Sequence, residues 1–275
     1  MAINLETVRV QALLFWSFSR RTGIQEAIVV VIAFLVYFFI RGAVVDRAGE
    51  ALSNGLDLIA LEQALGIYWE IEWQSWVIDE YWAVRFMNWI YFWGHMPLVI
   101  VLAIFLWVYH RSTYGLVRTA FLASGAIGVI IYALYPVAPP RLIPFAGYVD
   151  TMAVLDRVGY QAQEAQAFVN PYAAVPSLHF GWSMLLGGAL AWVGRGQPLM
   201  VAAGLLWPVL MLFSIVMTAN HFIIDAVFGA VVSLVGLAVA EGMRRVRPKA
   251  LAFIKAKALG RLYRSASYTG PRPPG

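Results

Sequence analysis

The sequence of 275 residues contains no cysteine, which excludes disulfides, a thiolate nucleophile and thiolate-ligated metal sites. It is also poor in charge: Asp, Glu, Lys and Arg make up 13% of it, against 61% hydrophobic residues. A water-soluble domain carries roughly 25% charged residues, so the composition reads as a polytopic membrane protein. Histidine is scarce too. The four are His95, His110, His179 and His221, and no HExxH-type spacing links them. Zinc would have to rely on histidine and carboxylates. No small-residue cleavage site follows the first apolar run, although Arg9, Arg20 and Arg21 precede it, so that run reads as a retained helix. No internal repeat of the transporter kind is visible.

What is present is a series of apolar runs. A membrane span needs ~20 mostly apolar residues, and six runs qualify as candidates: 24–40, 89–109, 116–135, 178–193, 199–217 and 222–240. The segment 46–85 differs. It is rich in acids and tryptophan, and Leu52, Leu56, Ile59, Leu61 and Leu65 recur at near-helical spacing, so it reads as one or two amphipathic helices at the membrane interface. A long connection, 138–176, carries proline near both ends. The fold class expected is an all-α membrane protein: a six-transmembrane helix bundle with interfacial amphipathic helices and a long extracytoplasmic loop. Three regions result: an N-terminal segment 1–23, a catalytic membrane domain 24–241, and a basic tail 242–275.

Basic residues orient such a bundle. Six spans put both termini on one side, which receives fifteen of the twenty Lys and Arg, including Arg111, Arg118, Arg195 and the nine from Arg244 to Arg272. Both termini are therefore expected in the cytoplasm. The net charge of +5 resides largely in this tail; it reads as a patch resting on anionic lipid, not as a nucleic-acid site. The loop 138–176 and the starts of the fourth and sixth runs then share the extracytoplasmic face, which brings His179 and His221 to similar depth. The richness in alanine, arginine and glycine points to a bacterial source, and hence to the plasma membrane.

Two stretches carry chemistry. In "TANHFIIDAVFGA", Asp225 lies four residues after His221. On a helix the two would be neighbours on one face, and the carboxylate could fix the imidazole tautomer, leaving the other nitrogen as nucleophile or base. The alternative is a pair that merely satisfies itself. In "NPYAAVPSLHFGW", Pro176 suits the first turn of a helix. Ser177 can cap it or meet a phosphate oxygen, and His179 would face an anion held at the helix end. Arg141, in "YPVAPPRLIP", suits bidentate phosphate contact or is an ordinary interfacial arginine. Asn220, next to His221, joins the candidate phosphate-binding set. His95 falls in the second run near Asn88 and Tyr91; it either holds the acceptor or His179, or is a satisfied core histidine. His110 has no assigned role.

At these residues the sequence resembles the type 2 phosphatidic acid phosphatase superfamily. "VPSLH" and "HFIID" look like its second and third motifs. Pro-Ser-Leu-His, together with "APPRL" and "NWIYFWGHMP", is most similar to the branch of inositol phosphorylceramide synthases and bacterial inositolphosphotransferase-like proteins. The resemblance covers roughly 85–241. It implies a phosphohistidine mechanism in which His221 is the nucleophile, Asp225 orients it and His179 protonates the leaving group, without metal. The family's third motif has Ser-Arg ahead of the histidine, where this chain has Ser214 and Ile215, and the first-motif Lys and Arg-Pro are missing in that form. Fewer cations favour a phosphodiester headgroup over a dianionic monoester. The function expected is transfer of a phospho-headgroup, possibly phosphoinositol, from a phospholipid donor to a lipid or polyol hydroxyl. A lipid or polyprenyl phosphate phosphatase with water as acceptor is the alternative, and a lipid-binding protein or transporter the third reading.

Overall fold

The computed structural model describes residues 23–42, 47–155 and 171–266. Every regular element among them is helical. In chain order they are α1 (Gly23–Gly42), α2 (Ala48–Leu65), α3 (Glu70–Ser75), α4 (Tyr81–Trp89), a π-turn (Ile90–Gly94), α5 (His95–Tyr109), α6 (Arg111–Leu134), a 3₁₀ turn (Pro140–Leu142), α7 (Thr151–Leu155), α8 (Leu178–Val193), α9 (Pro198–Met217) and α10 (Ile223–Ala266). Long apolar runs leave backbone groups nowhere to bond but within their own helix, which is why they fold this way in lipid. Expectations for 1–22, 156–170 and 267–275 lie outside the described residues, as do Arg157 and Asn170.

Each of the six apolar runs overlaps a helix, but not all are long enough to cross a bilayer. Among the described residues three helices are: α6, α9 and the first part of α10 (Ile223–Val246). The pair Tyr81–Phe92 and His95–Tyr109, bent by 48°, makes a fourth if taken as one broken span. α8 has 16 residues, or about 24 Å at 1.5 Å per residue, short of a ~30 Å hydrocarbon core. Where one or two helices were expected over 46–85, there are α2, α3 and α4, the last running into the bent pair. Arg118, counted above among the basic residues of the cytoplasmic side, is buried in an ion pair with Glu26 of α1.

α8 packs against both α9 and α10, and α6 packs against α10 and α8. Small residues allow the approach. A Cβ on Gly229 of α10 would lie 2.1 Å from the Ser177 carbonyl oxygen, and one on Gly187 of α8 would lie 2.1 Å from the Gly204 carbonyl oxygen of α9. Helix association in lipid relies on such contacts because apolar burial drives it little there. A second cluster joins α2 to the loops: Ala51, Leu58 and Ile59 pack with Val137, Ile143, Ala174, Val175, Phe222 and Ile224. The Ala138 amide donates to the Ala51 carbonyl at 2.9 Å, and the Asn54 side chain to the Pro136 carbonyl at 2.8 Å. Gln74 of α3 donates to the carbonyls of Val149 and Met217. The segment 46–85 is thus a platform under the start of α10, not a detached surface element.

Gly229→Ala should force α8 from α10 and cost about 1–3 kcal/mol, as overpacking does. It should lower the melting temperature in detergent, whereas Gly188→Ala, with open space around its Cβ, should not. Equal melting temperatures would show that the two helices do not depend on this contact.

Candidate active site

α9 ends at Met217, and the chain reverses before α10 begins at Ile223. The reversal uses Ala219 in the left-handed region, φ 55°, a conformation that costs a residue with a Cβ about 1 kcal/mol or more. The amides of Asn220 and His221 then both donate to the Ile215 carbonyl, each at 3.0 Å. His221 therefore sits in a turn and not, as the spacing suggested, on the helix. Its proximity to Asp225 comes from the turn: Asp225 Oδ2 accepts the Phe222 amide at 2.9 Å and lies 3.2 Å from His221 Nδ1. Nδ1 also lies 2.9 Å from the Ala174 carbonyl oxygen. A carbonyl can only accept, so Nδ1 carries the proton and the Nε2 lone pair is left available. Both His221 and Asp225 are buried.

His179 is the second residue of α8. Ser177 caps that helix, its Oγ accepting the Phe180 amide at 3.4 Å. Pro176 was expected inside the first turn; it lies before the cap, because Ser177 is extended (ψ 96°) and the helix begins only after it. The Ser177 amide donates to the Asp225 carbonyl at 2.9 Å, which ties the starts of α8 and α10 together. The His179 and His221 rings are 5.8 Å apart, centroid to centroid. Tyr91, in the π-turn, stacks on His179 at 4.6 Å, and His95 meets it at 4.9 Å. π-turns inside helices are frequent at functional sites, and here the turn sets Tyr91 and His95 against one ring. Ser183 Oγ accepts from Trp207 and lies 3.3 Å from His95 Nδ1. His95 Nε2 is buried with no protein partner.

Arg141 reaches the same place from the 3₁₀ turn. Its amide donates to the Ala219 carbonyl at 2.9 Å, and its Nε donates to Asn220 Oδ1 at 2.9 Å. Asn220 is held by the Thr218 hydroxyl at 2.8 Å, so it acts as a strut between the His221 turn and the guanidinium. Asp150 Oδ2 lies 3.4 Å from Arg141 Nη1 while its Oδ1 caps α7. Ile215, where a phosphate-binding arginine was noted as missing, is fully buried in an apolar cluster. Among the described residues no group of three or more His, Asp and Glu side chains could hold a metal ion.

The structure thus brings together His179, His221, Asp225, Ser177, Asn220, Arg141 and His95. Sequence reasoning missed the Ala174 carbonyl, the stacking of Tyr91 and the contact of Asp150. It also missed Glu62 and Glu70, both 0% exposed, which bind the Ile224 and Ile223 amides at 2.8 and 2.9 Å. A signal for Glu62 existed: it shares the face of α2 that holds Ala51, Gly55, Leu58 and Ile59, where an acid is out of place. Burial, then its hydrogen bond to Glu70, pushes the Glu62 carboxyl up to about 10.

The model of the PAP2 superfamily matches residues 56–239. The match spans well over half of the chain and includes the platform, the paired histidines and Asp225, so the protein belongs to the PAP2 superfamily. Its members are generally phosphatases and phosphotransferases. No curated protein and no solved structure matches the chain.

Nitrogen-15 NMR of histidine-labelled protein should show His221 as the neutral Nδ1–H tautomer, through a resonance absent from His221→Gln. An Nε2–H signal for that residue would contradict the Ala174 contact.

Proposed function

We propose that this membrane protein is a lipid phosphotransferase working through a phosphohistidine, with His221 as nucleophile, Asp225 and Ala174 holding its tautomer, and His179 as acid and base. One observation carries the reading: Nδ1 of His221 is committed to the Ala174 carbonyl and Asp225, while the His179 ring lies 5.8 Å away. In the first step His221 Nε2 attacks phosphorus, the bond from phosphorus to the lipid oxygen breaks, and His179 gives that oxygen its proton. In the second, an acceptor hydroxyl attacks phosphorus, the N–P bond breaks, and the hydroxyl proton passes to His179. Arg141, positioned by Asn220, Nε2 of His95, and the helix start at Ser177 are offered as the phosphate's donors. No metal or cofactor enters this scheme.

The scarcity of cations at the site, with Ile215 where the family carries arginine, favours a phosphodiester headgroup such as phosphoinositol. That agrees with the resemblance to the inositol phosphorylceramide synthase branch. With water as acceptor the same residues would make a phosphatase. We further propose six membrane crossings over 24–241, with α2 and α3 at the interface. Both termini would be cytoplasmic, the site extracytoplasmic, and the enzyme resident in a bacterial plasma membrane.

His221→Ala and His179→Ala should each lower turnover by at least about 10²-fold, the usual scale of a lost acid–base or nucleophilic group, with the melting temperature little changed. Substantial activity in either variant would sink the mechanism. Purified protein given labelled phosphatidylinositol and an alcohol acceptor should yield the transferred headgroup; release of phosphate from monoesters alone would favour the phosphatase. Turnover should survive EDTA. Loss in chelator that a divalent cation restores would call for a metal site.

A further inference from the structure

Among the described residues, the start of α10 is held unlike any other helix end. Its first amides are each bound by a different carboxylate: Phe222 by Asp225 at 2.9 Å, Ile223 by Glu70 at 2.9 Å and Ile224 by Glu62 at 2.8 Å. Glu62 and Glu70 come from α2 and α3, 162 and 153 residues away in the chain. Both side chains are wholly buried. Each spends Oε1 on one of two consecutive amides, and each has a buried Oε2 with no hydrogen-bond partner. Two carboxylates held out of water on neighbouring amides cannot both stay ionised, so one carries a proton.

We infer that Glu62 and Glu70 are a proton-sharing pair that positions the nucleophile, locking the first turn of α10 so that Asp225 and the Ala174 carbonyl meet His221 Nδ1. The inference rests on His221 being the nucleophile. The pair does not touch the phosphate; it acts through the Phe222–Asp225 turn. It also keeps that helix end from serving as an anion site, which leaves the start of α8 and Arg141 to face the phosphate. The raised carboxyl of Glu62 agrees with a held proton. The ionisable groups around the pair are Asp225, Tyr148 and Tyr68, whose rings meet edge-on at 6.4 Å. The geometry sets a specific non-additivity. One glutamine can replace one glutamate, its oxygen taking the amide and its NH₂ donating to the remaining carboxylate. Two glutamines cannot, because both oxygens are committed to backbone amides and the two NH₂ groups then face each other.

The test is turnover of the full-length protein with a labelled phospholipid and acceptor, with infrared spectra of the same samples. E62Q and E70Q should each keep kcat within about threefold, while E62Q/E70Q and E62L should lose about tenfold or more with KM little changed, since small misplacement of a nucleophile has effects of that size. The infrared C=O band of a buried protonated carboxyl should be present in wild type and lost in E62Q. Additive glutamine effects, wild-type kcat in E62L, or no such band would overturn the inference. If E62L does not fold, the glutamine cycle and the band decide. Failure of the proposed function is distinguishable: there His221→Ala would keep turning over while the band persisted.

Discussion

A helix that begins in the interior of a protein must find partners for its first amides, and in an apolar surrounding water cannot supply them. α10 begins that way, one residue after Phe222, and the rest of the architecture follows from how the need is met. Asp225 binds the first amide from within the helix, and Glu70 and Glu62 bind the next two from outside it. To deliver those carboxyls, α3 and α2 must lie beneath the turn, which they do by packing Ala51, Leu58 and Ile59 against Phe222 and Ile224. The amphipathic segment is therefore part of the site's support. Two of its acids, Glu62 and Glu70, are buried in that support, while Glu50, Asp57, Glu72, Asp79 and Glu80 are exposed.

The same arrangement divides the electrostatics of the site. Negative groups fill the start of α10, where the helix dipole favours them. The start of α8 is only lightly capped, by Ser177 at 3.4 Å, and it stands beside His179, with Arg141 held near by Asn220. On the proposed reading, an anion approaching the two histidines would meet donors from α8, Arg141 and His95, with the Asp150 carboxylate beside Arg141. Few cations and several neutral donors suit a singly charged phosphodiester, which is the physical core of the preference for headgroup transfer.

Much of this was legible in the sequence. Helical periodicity and apolar length marked where each long helix lies, but not the continuation of α10 through the basic segment to Ala266. Positive charge pattern suggested that 177–179 and 220–225 share a face, and the two rings do meet. The number of crossings was less legible, because 16 residues in α8 and a 48° bend before α5 are matters of backbone path, not composition. His221 was placed on a helix because an i,i+4 spacing looks the same in a tight turn; the left-handed Ala219 that makes the turn has no side-chain signature. The Ala174 carbonyl is backbone and leaves no trace in residue type. Glu62 and Glu70 act across more than 150 residues, a distance over which single-sequence patterns say nothing, and only the odd position of Glu62 on an apolar face hinted at it.

The central claim is that His221 Nε2 becomes covalently bonded to phosphorus. Wild-type protein mixed with a phospholipid donor and no alcohol acceptor, then quenched in alkali and digested, would show it by mass spectrometry. The account predicts the mass of the phospho-headgroup on the peptide containing His221, absent from His221→Ala. Turnover with no adduct, or with the adduct on another residue, would contradict it.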